Sequence, residues 1–595
     1  MIRGTLFSRF FLDGGVRLTE AYQALDPVSV NALRDLAQPC LARLAAMERP
    51  SEAETESECI FPILGQLGWT YLTQQEPGRG RRDVADALLF LDPAAKDAAV
   101  RLRGPDRFKH GSVVVENEAR DTRLDRASGE KETPSTQLLR YLSRAQTQSD
   151  GAVRWGLLTT GRVWRLYWAD APARAEGFVE FDLDGILGTM PPPLPPGAAA
   201  DHWMRVFLLL FSTRSLHTDG PGGQTFLDQA LAEGKRYQQR VTAALSQTVF
   251  DRVFPDLVAA IAAHDPAARI ADEAWLADVR ETALRLLYRL LFLLYAEDRD
   301  LLPVRHPGYE AYSLRHLRDD AATITDQRRV VSAQASTWWP KLRSLFQAIS
   351  VGDAALGLPA YNGGLFADQP GTLMSRLALP DAVLVPLLDA MSREGDPKRW
   401  INYHDLSVQH LGSIYEGLLE RDPVSDAAGG ITLRLNPFAR KNSGSYYTDD
   451  ELVRLILRQT LGPLLAERRA RFLTLAEQLG HETGPKAGRR ARLARVDIAE
   501  QFLSLRICDP AMGSGHFLVS LVDYLADETL SAIAEASAGY RLVNTARRSQ
   551  AVWRKYARKF GRKRRRMVGR SRKRSWTTGI SCAVLFSNAA STASI

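Results

Sequence analysis

A chain of 595 residues with 45% hydrophobic and 25% charged side chains is too long for one core and has the composition of a multidomain globular protein. No stretch supplies the ~18 uncharged apolar residues of a membrane span. The opening MIRGTLFSRFFLDGG lacks the apolar core of a signal peptide, and Cys40, Cys59, Cys508 and Cys582 form no CxxC pair, so a cytoplasmic protein without structural zinc or disulfides is expected. The net charge of +8 comes from the far end of the chain: from Arg541 onward there are 16 Lys and Arg and no Asp or Glu, which leaves 61 basic against 69 acidic side chains in residues 1–540. The basic balance is therefore poor evidence about what the folded body binds.

Composition separates four regions: 1–190, 198–430, 431–540 and 541–595. The first mixes helix and strand signals and closes on PPPLPPG, a stiff Pro-rich linker. Within it TESECIFPILGQLGWTYL predicts a helix carrying Glu56 and Glu58 and ending at Gly68-Trp69. VADALLF predicts a short strand with Asp86, and SVVVENEARDTRLD a second with Glu116 and Glu118 at its end. QLLRYLSRA predicts a helix with Gln137 and Tyr141 one turn apart, and WGLLTTGRVWRLYW a hairpin. An acid on one strand and a pair at the end of its neighbour can hold a hard divalent cation, which polarises a phosphodiester and activates water. The bland reading is solvated acids at strand ends.

This order resembles the PD-(D/E)XK nucleases of type I and type IIG restriction enzymes, over about residues 50–170. The resemblance implies Asp86 and Glu116 as ligands of Mg2+, with Gln137 and Tyr141 as the accompanying Q-x-x-x-Y helix. Two positions depart from it: Glu118 stands where the family usually has lysine, and Ala85 where it often has proline. Some nucleases of this fold use glutamate at the lysine position, so cleavage and a fold kept as scaffold both stay open.

Residues 198–430 read as mainly helical, with apolar side chains at i, i+3 and i+4 in ADVRETALRLLYRLLFLLYAEDR and HDLSVQHLGSIYEGLLE. Residues 431–540 hold the most informative run, SLRICDPAMGSGHFLVSLVDYLAD. Leu505, Ile507 and Cys508 predict a buried strand with Asp509 at its C-terminal end, and Gly513-Ser514-Gly515 a turn into a helix near Phe517. Glycines at such a strand end let backbone approach a small molecule closely. No acid stands ~20 positions on, as a dinucleotide fingerprint requires; the next acid, Asp523, lies inside the helix.

Asp509-Pro510-Ala511-Met512-Gly513-Ser514-Gly515-His516-Phe517 is similar to the first motif of adenine-specific DNA methyltransferases, which implies an S-adenosylmethionine loop. Upstream, Ser443-Gly444-Ser445-Tyr446-Tyr447-Thr448 resembles the G-x-Y-Y-T-P loop that covers the methionine end of the cofactor in the gamma arrangement, with Asp449 in place of the proline. Asp449-Asp450-Glu451 also make a good helix start against the helix dipole. The phrases LLFLLYAEDR, YNGGLF and DLSVQHLGSIYEGLLE are similar to the helical section preceding this domain in large single-chain restriction–modification enzymes.

Adenine methyltransferases carry (D/N/S)-P-P-(Y/F/W) further on, where it holds a flipped-out adenine. This sequence has no such tetrapeptide, since Asn436-Pro437-Phe438 comes too early and lacks the second proline. Instead it runs into WRKYARKFGRKRRRMVGRSRKRSW, read either as a nucleic-acid arm or as a shifted reading frame from about Gly539–Tyr540. In an alternative frame the closing residues can encode a segment like the family's next one, with the strand-end acid for the cofactor ribose. The expected fold is thus multidomain α/β: a PD-(D/E)XK-like front, a mainly helical middle, an incomplete Rossmann-like methyltransferase domain and a disordered basic tail. The resemblance implies methyl transfer from S-adenosylmethionine to the exocyclic amine of adenine in a specific double-stranded DNA site, in a restriction–modification or phage-defence system. This chain is expected to be an inactive shortened form. Two rivals are a metal-dependent endonuclease or DNA-binding subunit acting through the front domain, and half of a methylase completed by a partner chain.

Overall fold

The computed structural model describes residues 2–539 apart from 76–84, 126–132, 172–173, 175–176, 189–197, 219–222, 266–271, 362–363, 368–369, 407, 426–430, 437–447, 484, 486–487, 490–491, 494–495, 497 and 511–515. The Pro-rich linker, both glycine-bearing cofactor loops and the basic tail read from the sequence lie outside the described residues.

A seven-stranded sheet organises the front of the molecule. Its strands are β1 (Ile2–Arg3), β2 (Thr70–Gln75), β3 (Ala85–Phe90), β4 (Val113–Asn117), β5 (Trp155–Thr159), β6 (Val163–Trp168) and β7 (Phe178–Asp182), in the order β1-β7-β6-β5-β4-β3-β2. Only β4 and β5 pair in parallel, joined by the crossover helix Pro134–Gln148. Both strands are buried along their whole length, so VVVEN and WGLLT read as near-continuous apolar runs rather than alternating ones. Successive residues feed opposite faces. Ala87, Leu89, Val113 and Val115 join a core with helix Pro27–Ala46 and residues 59–67, while Leu88, Phe90 and Val114 pack under helix Pro134–Gln148. The predicted hairpin is present as β5–β6, and Gly161 in its turn takes φ +71, where a Cβ would stand 3.2 Å from Cys59 Sγ.

The front core does not end at the Pro-rich segment. Helix Ala198–Phe211 lays Trp203, Phe207 and Phe211 against Trp164 and Phe181, and Phe226 to Ala230 join the same cluster. Beyond it the middle is helical around Glu273–Asp298, which is buried along most of its length. Even Arg289 is enclosed there, donating from Nε to the Leu365 carbonyl at 2.8 Å and lying over the Phe346 and Phe366 rings. Asp405 fastens the N-terminus to this body. Its carboxylate accepts from Ser8 Oγ and from the amides of Arg9 and Phe10 at 2.8, 2.7 and 2.9 Å, and Phe10 stacks on Tyr237.

The C-terminal region is built from helices Asp450–His481, Ile498–Leu503 and His516–Gly539 around Val453, Phe472, Phe502 and Leu521. Here the structure corrects the sequence reading. Leu505, Ile507 and Cys508 form no strand; Ile507 is 37% exposed and Cys508 is exposed. A strand exists by pairing, and among the described residues no strand flanks this run to take up its backbone groups. Among the described residues no helix is long and apolar enough to cross a membrane.

Candidate functional site

Sheet register brings the front acids together. Antiparallel pairing sets Ala87 against Val115, which carries Asp86 alongside Glu116 on one face at the sheet's end. The Asn117 amide donates to Asp86 Oδ2 at 2.7 Å, and the Gln137 side-chain amide donates to Glu116 Oε1. Gln137 Nε2 also lies 3.3 Å from the Tyr141 hydroxyl, so the one-turn spacing read from the sequence places both side chains over the same carboxylate strand.

A second source of acid comes from the other side of the strand end. Ser51 opens a helix with a reciprocal capping box to Glu54, and the chain continues through Glu52–Thr55 into a π turn, Glu56–Ile60. Pro62 has no N–H for the Glu58 carbonyl and its ring crowds that carbonyl, so an extra residue is taken into the turn. The Glu58 carbonyl instead accepts from Arg43 Nη2 at 3.4 Å, and the Glu58 side chain also pairs with Arg43, away from the site. Glu56 accepts from Asn117 Nδ2 at 2.8 Å. Carboxylate oxygens of Glu52, Glu56 and Asp86 all lie within 4.8 Å of one another.

Such crowding is held at an electrostatic cost that appears in the titration of the acids. Burial pushes Asp86 up to about 7, with Glu52, Glu56 and Glu118 adding repulsion against the opposing Asn117 hydrogen bond. Burial first, then the charges of Asp86 and Glu118, hold Glu116 well above the usual carboxylate range. Glu116 is 3% exposed, and among the described residues its Oε2 has no hydrogen-bond partner. Three carboxylates this close, with a buried carboxylate oxygen without a donor on the neighbouring strand, fit a hard divalent cation. Asp86, Glu52, Glu56 and Glu116 would hold such an ion, which when bound polarises a phosphodiester and lowers the pKa of water. Glu118 is half-buried and its amide donates to the Thr159 carbonyl at 2.9 Å. Sequence reading passed over Glu52 and Asn117 and gave Glu56 no role. The signals were there: Glu52 and Glu56 are one helical turn apart, and Asn117 lies between two acids.

Of the cofactor-loop residues, Thr448, Asp509, Pro510 and Phe517 are described, while Ser445, Tyr446, Tyr447, Ala511, Gly513 and Gly515 are not. Asp449 replaces the usual proline and serves as a helix cap, its Oδ1 accepting from the Glu451 amide at 2.8 Å. The residues flanking the two loops meet: Asp450 Oδ1 lies 3.5 Å from His516 Nε2, across a separation of 66 positions. Asp509 is half-buried, and Phe517 packs on the helical cluster. The helix after this loop, His516–Gly539, packs on Pro134–Gln148, the helix that bears Gln137. Arg174 Nη1 donates to Ser531 Oγ at 3.3 Å across the same junction.

No protein-family model matches the chain, and no solved structure does. A protein of Methanocaldococcus jannaschii named "Putative type II restriction enzyme and methyltransferase" is 23% identical over 278 residues, covering 42% of this chain. The aligned part spans 21% of that relative's length.

Proposed function

We propose that the chain is a restriction–modification polypeptide whose front domain binds a divalent cation and hydrolyses a DNA phosphodiester. The observation that carries this is the convergence of Asp86, Glu52 and Glu56, with Glu116 beside Asp86 in the sheet register and, among the described residues, a buried Glu116 oxygen that lacks a donor. In this reading Asp86 and Glu116 hold Mg2+ or Mn2+, Glu52 and Glu56 complete the oxygen set, and Gln137 orients Glu116. The test has two readouts. Calorimetry should detect Mn2+ binding that is lost in Asp86→Ala and in Glu116→Gln, and nicking of supercoiled DNA should need the metal and vanish in the same variants. Cleavage that persists in chelator, or in either variant, would remove the site.

A second reading concerns the C-terminal region and is favoured by Asp509-Pro510-Ala511-Met512-Gly513-Ser514-Gly515, together with the Asp450–His516 contact that joins the two loop flanks. Here Asp509, Pro510, Ala511, Gly513, Gly515 and Phe517, with Ser445, Tyr446, Tyr447 and Thr448, bind S-adenosylmethionine for methyl transfer to adenine in double-stranded DNA. The adenine-holding tetrapeptide would come from a partner chain. Retention of labelled S-adenosylmethionine by the wild type, and its loss in Gly513→Val, is the supporting outcome; equal retention by both refutes the loop.

A further inference from the structure

A second surface, apart from both sites, carries its own chemistry. Between the N-terminal segment 2–24, the helix Phe226–Thr248 and the loops at 298–306 and 399–404 lies a groove of about 2810 Å³. A drug-sized ligand pocket is roughly 300–1,000 Å³, so the space suits a macromolecule. Its wall holds eleven arginines against six carboxylates. Most of those carboxylates are already engaged: Asp13 by Arg9 at 2.9 Å, Asp300 by Arg305 at 3.0 Å, Asp298 by Arg318 at 3.0 Å, and Glu233 by Arg236. Among the described residues, no carboxylate forms an ion pair with Arg17, Arg214, Arg240, Arg299 or Arg399. Arg17, Arg214, Arg240 and Arg399 are exposed. This matters because residues 1–540 as a whole are acidic, with 61 basic against 69 acidic side chains. The groove is therefore a local reversal of sign, not a sample of a basic surface.

We infer that this groove seats double-stranded DNA by its phosphate backbone. Forked guanidinium groups match phosphate oxygens, and a row of them on several elements follows a polyanion rather than one isolated charge. Bases of a single strand would need exposed aromatic faces to stack on. Of the aromatic residues in the wall, Trp400 alone is an exposed one, at 46%, and the Arg318 guanidinium already lies over its ring at 5.4 Å. Duplex recognition, which needs only phosphate contacts, is the better match. The groove also stands at a usable distance from the acids. It begins at β1, and β4 is four strands away in the sheet order. At ~4.8 Å per strand this is about 19 Å, or roughly six base pairs of duplex at 3.4 Å each. The inference rests on the reading of the chain as a DNA-acting protein and adds where the substrate is held.

The test compares the full-length chain with an Arg17→Glu, Arg214→Glu, Arg399→Glu variant, by fluorescence anisotropy on a labelled duplex over a range of salt. These three side chains are exposed and without ion pairs, so the thermal transition should be unchanged, and an Arg→Gln version of the triple variant checks that charge loss suffices. Each phosphate contact contributes about 0.9 to the slope of log K against log salt. The triple variant should therefore bind at least about tenfold more weakly, with a slope shallower by about 2 to 3. The basic tail is the same in both proteins and cancels from the difference. An unchanged slope overturns the proposal, as does an equal loss of affinity for single-stranded DNA. Asp86→Ala should bind duplex as well as the wild type. If the triple variant loses affinity while the wild type cuts nothing, the groove stands and the nuclease reading fails. If the wild type cuts and the slopes agree, only the groove fails.

Discussion

The two candidate sites invert each other. At the front, each sequence signal is weak by itself: scattered acids, a glutamate where the family expects lysine, an alanine where it expects proline. Yet the sheet forms, and strand register and a π turn bring carboxylate oxygens of Glu52, Glu56 and Asp86 within 4.8 Å of one another. At the C-terminal end the signal is a specific nine-residue motif, but the strand that should present it is unpaired coil, with Cys508 exposed. Motif specificity reports which chemistry a segment belongs to. Whether that chemistry is assembled depends on backbone partners that lie elsewhere in the chain.

The largest effect that would break this comparison is loss of the front site. If the proposed nuclease site is real, Asp86→Ala and Glu116→Ala should each bring metal-dependent nicking down to background, because each removes one of its proposed ligands. Glu52→Ala should act in the same direction with a smaller loss, raising the Mg2+ concentration needed more than it lowers the limiting rate. If Glu52→Ala is indistinguishable from wild type in both, the third carboxylate is only a helix-start acid.

Next in size is the pH response. Asp86 titrates at about 7 in the folded protein, raised by burial, against a usual value of 3.8. The folded state thus binds a proton that the unfolded state has released, and without metal its stability falls as pH rises from about 4 to 7. Divalent ions should restore it, since they bind the ionised form. Differential scanning fluorimetry should show a Mn2+-induced rise in Tm at pH 8 that is much smaller at pH 5.5. Asp86→Asn should be more stable than the wild type at pH 8 without metal, and should lose the metal response. A Tm shift of equal size at both pH values would contradict the coupling.

Glu118→Lys sharpens the same point. Glu118 repels both Asp86 and Glu116, so replacing it with a cation should lower both pKa values and move the acid limb of Mn2+ binding to lower pH. It should leave cleavage intact or raise it. An unmoved limb would mean that Glu118 faces solvent and does not act on the two acids. The smallest effect concerns the frame rather than the site. Asp405→Ala leaves one hydroxyl and two backbone amides of the N-terminal helix without their acceptor, and should cost about 1–3 kcal/mol in urea unfolding. Mn2+ affinity should be unchanged.

Much of the front was legible in the sequence. VADALLF, SVVVENEARD and the TTGR turn marked strands and a hairpin that the sheet contains, and Gln137 and Tyr141 at i, i+4 had to share a helix face. Even the two π turns have a local signature, since both precede a Phe-Pro pair, Phe61-Pro62 and Phe254-Pro255. Arg285 and Arg289 looked like interruptions of an apolar helix. Both are buried, and Arg289 is enclosed by a carbonyl and two rings that lie 57 or more positions away, which periodicity cannot see.

By itself the sequence determined the elements whose stabilising contacts are local: helix starts capped by Ser51, Asp449 and Thr225, turns at Gly161, and the apolar faces that each helix had to bury. Only the tertiary structure decided which acids come together, which arginines line one groove, and that residues 505–508 do not pair. Those outcomes depend on register and on partners distant in the chain, and the side-chain pattern of a strand is the same whether or not another strand lies beside it.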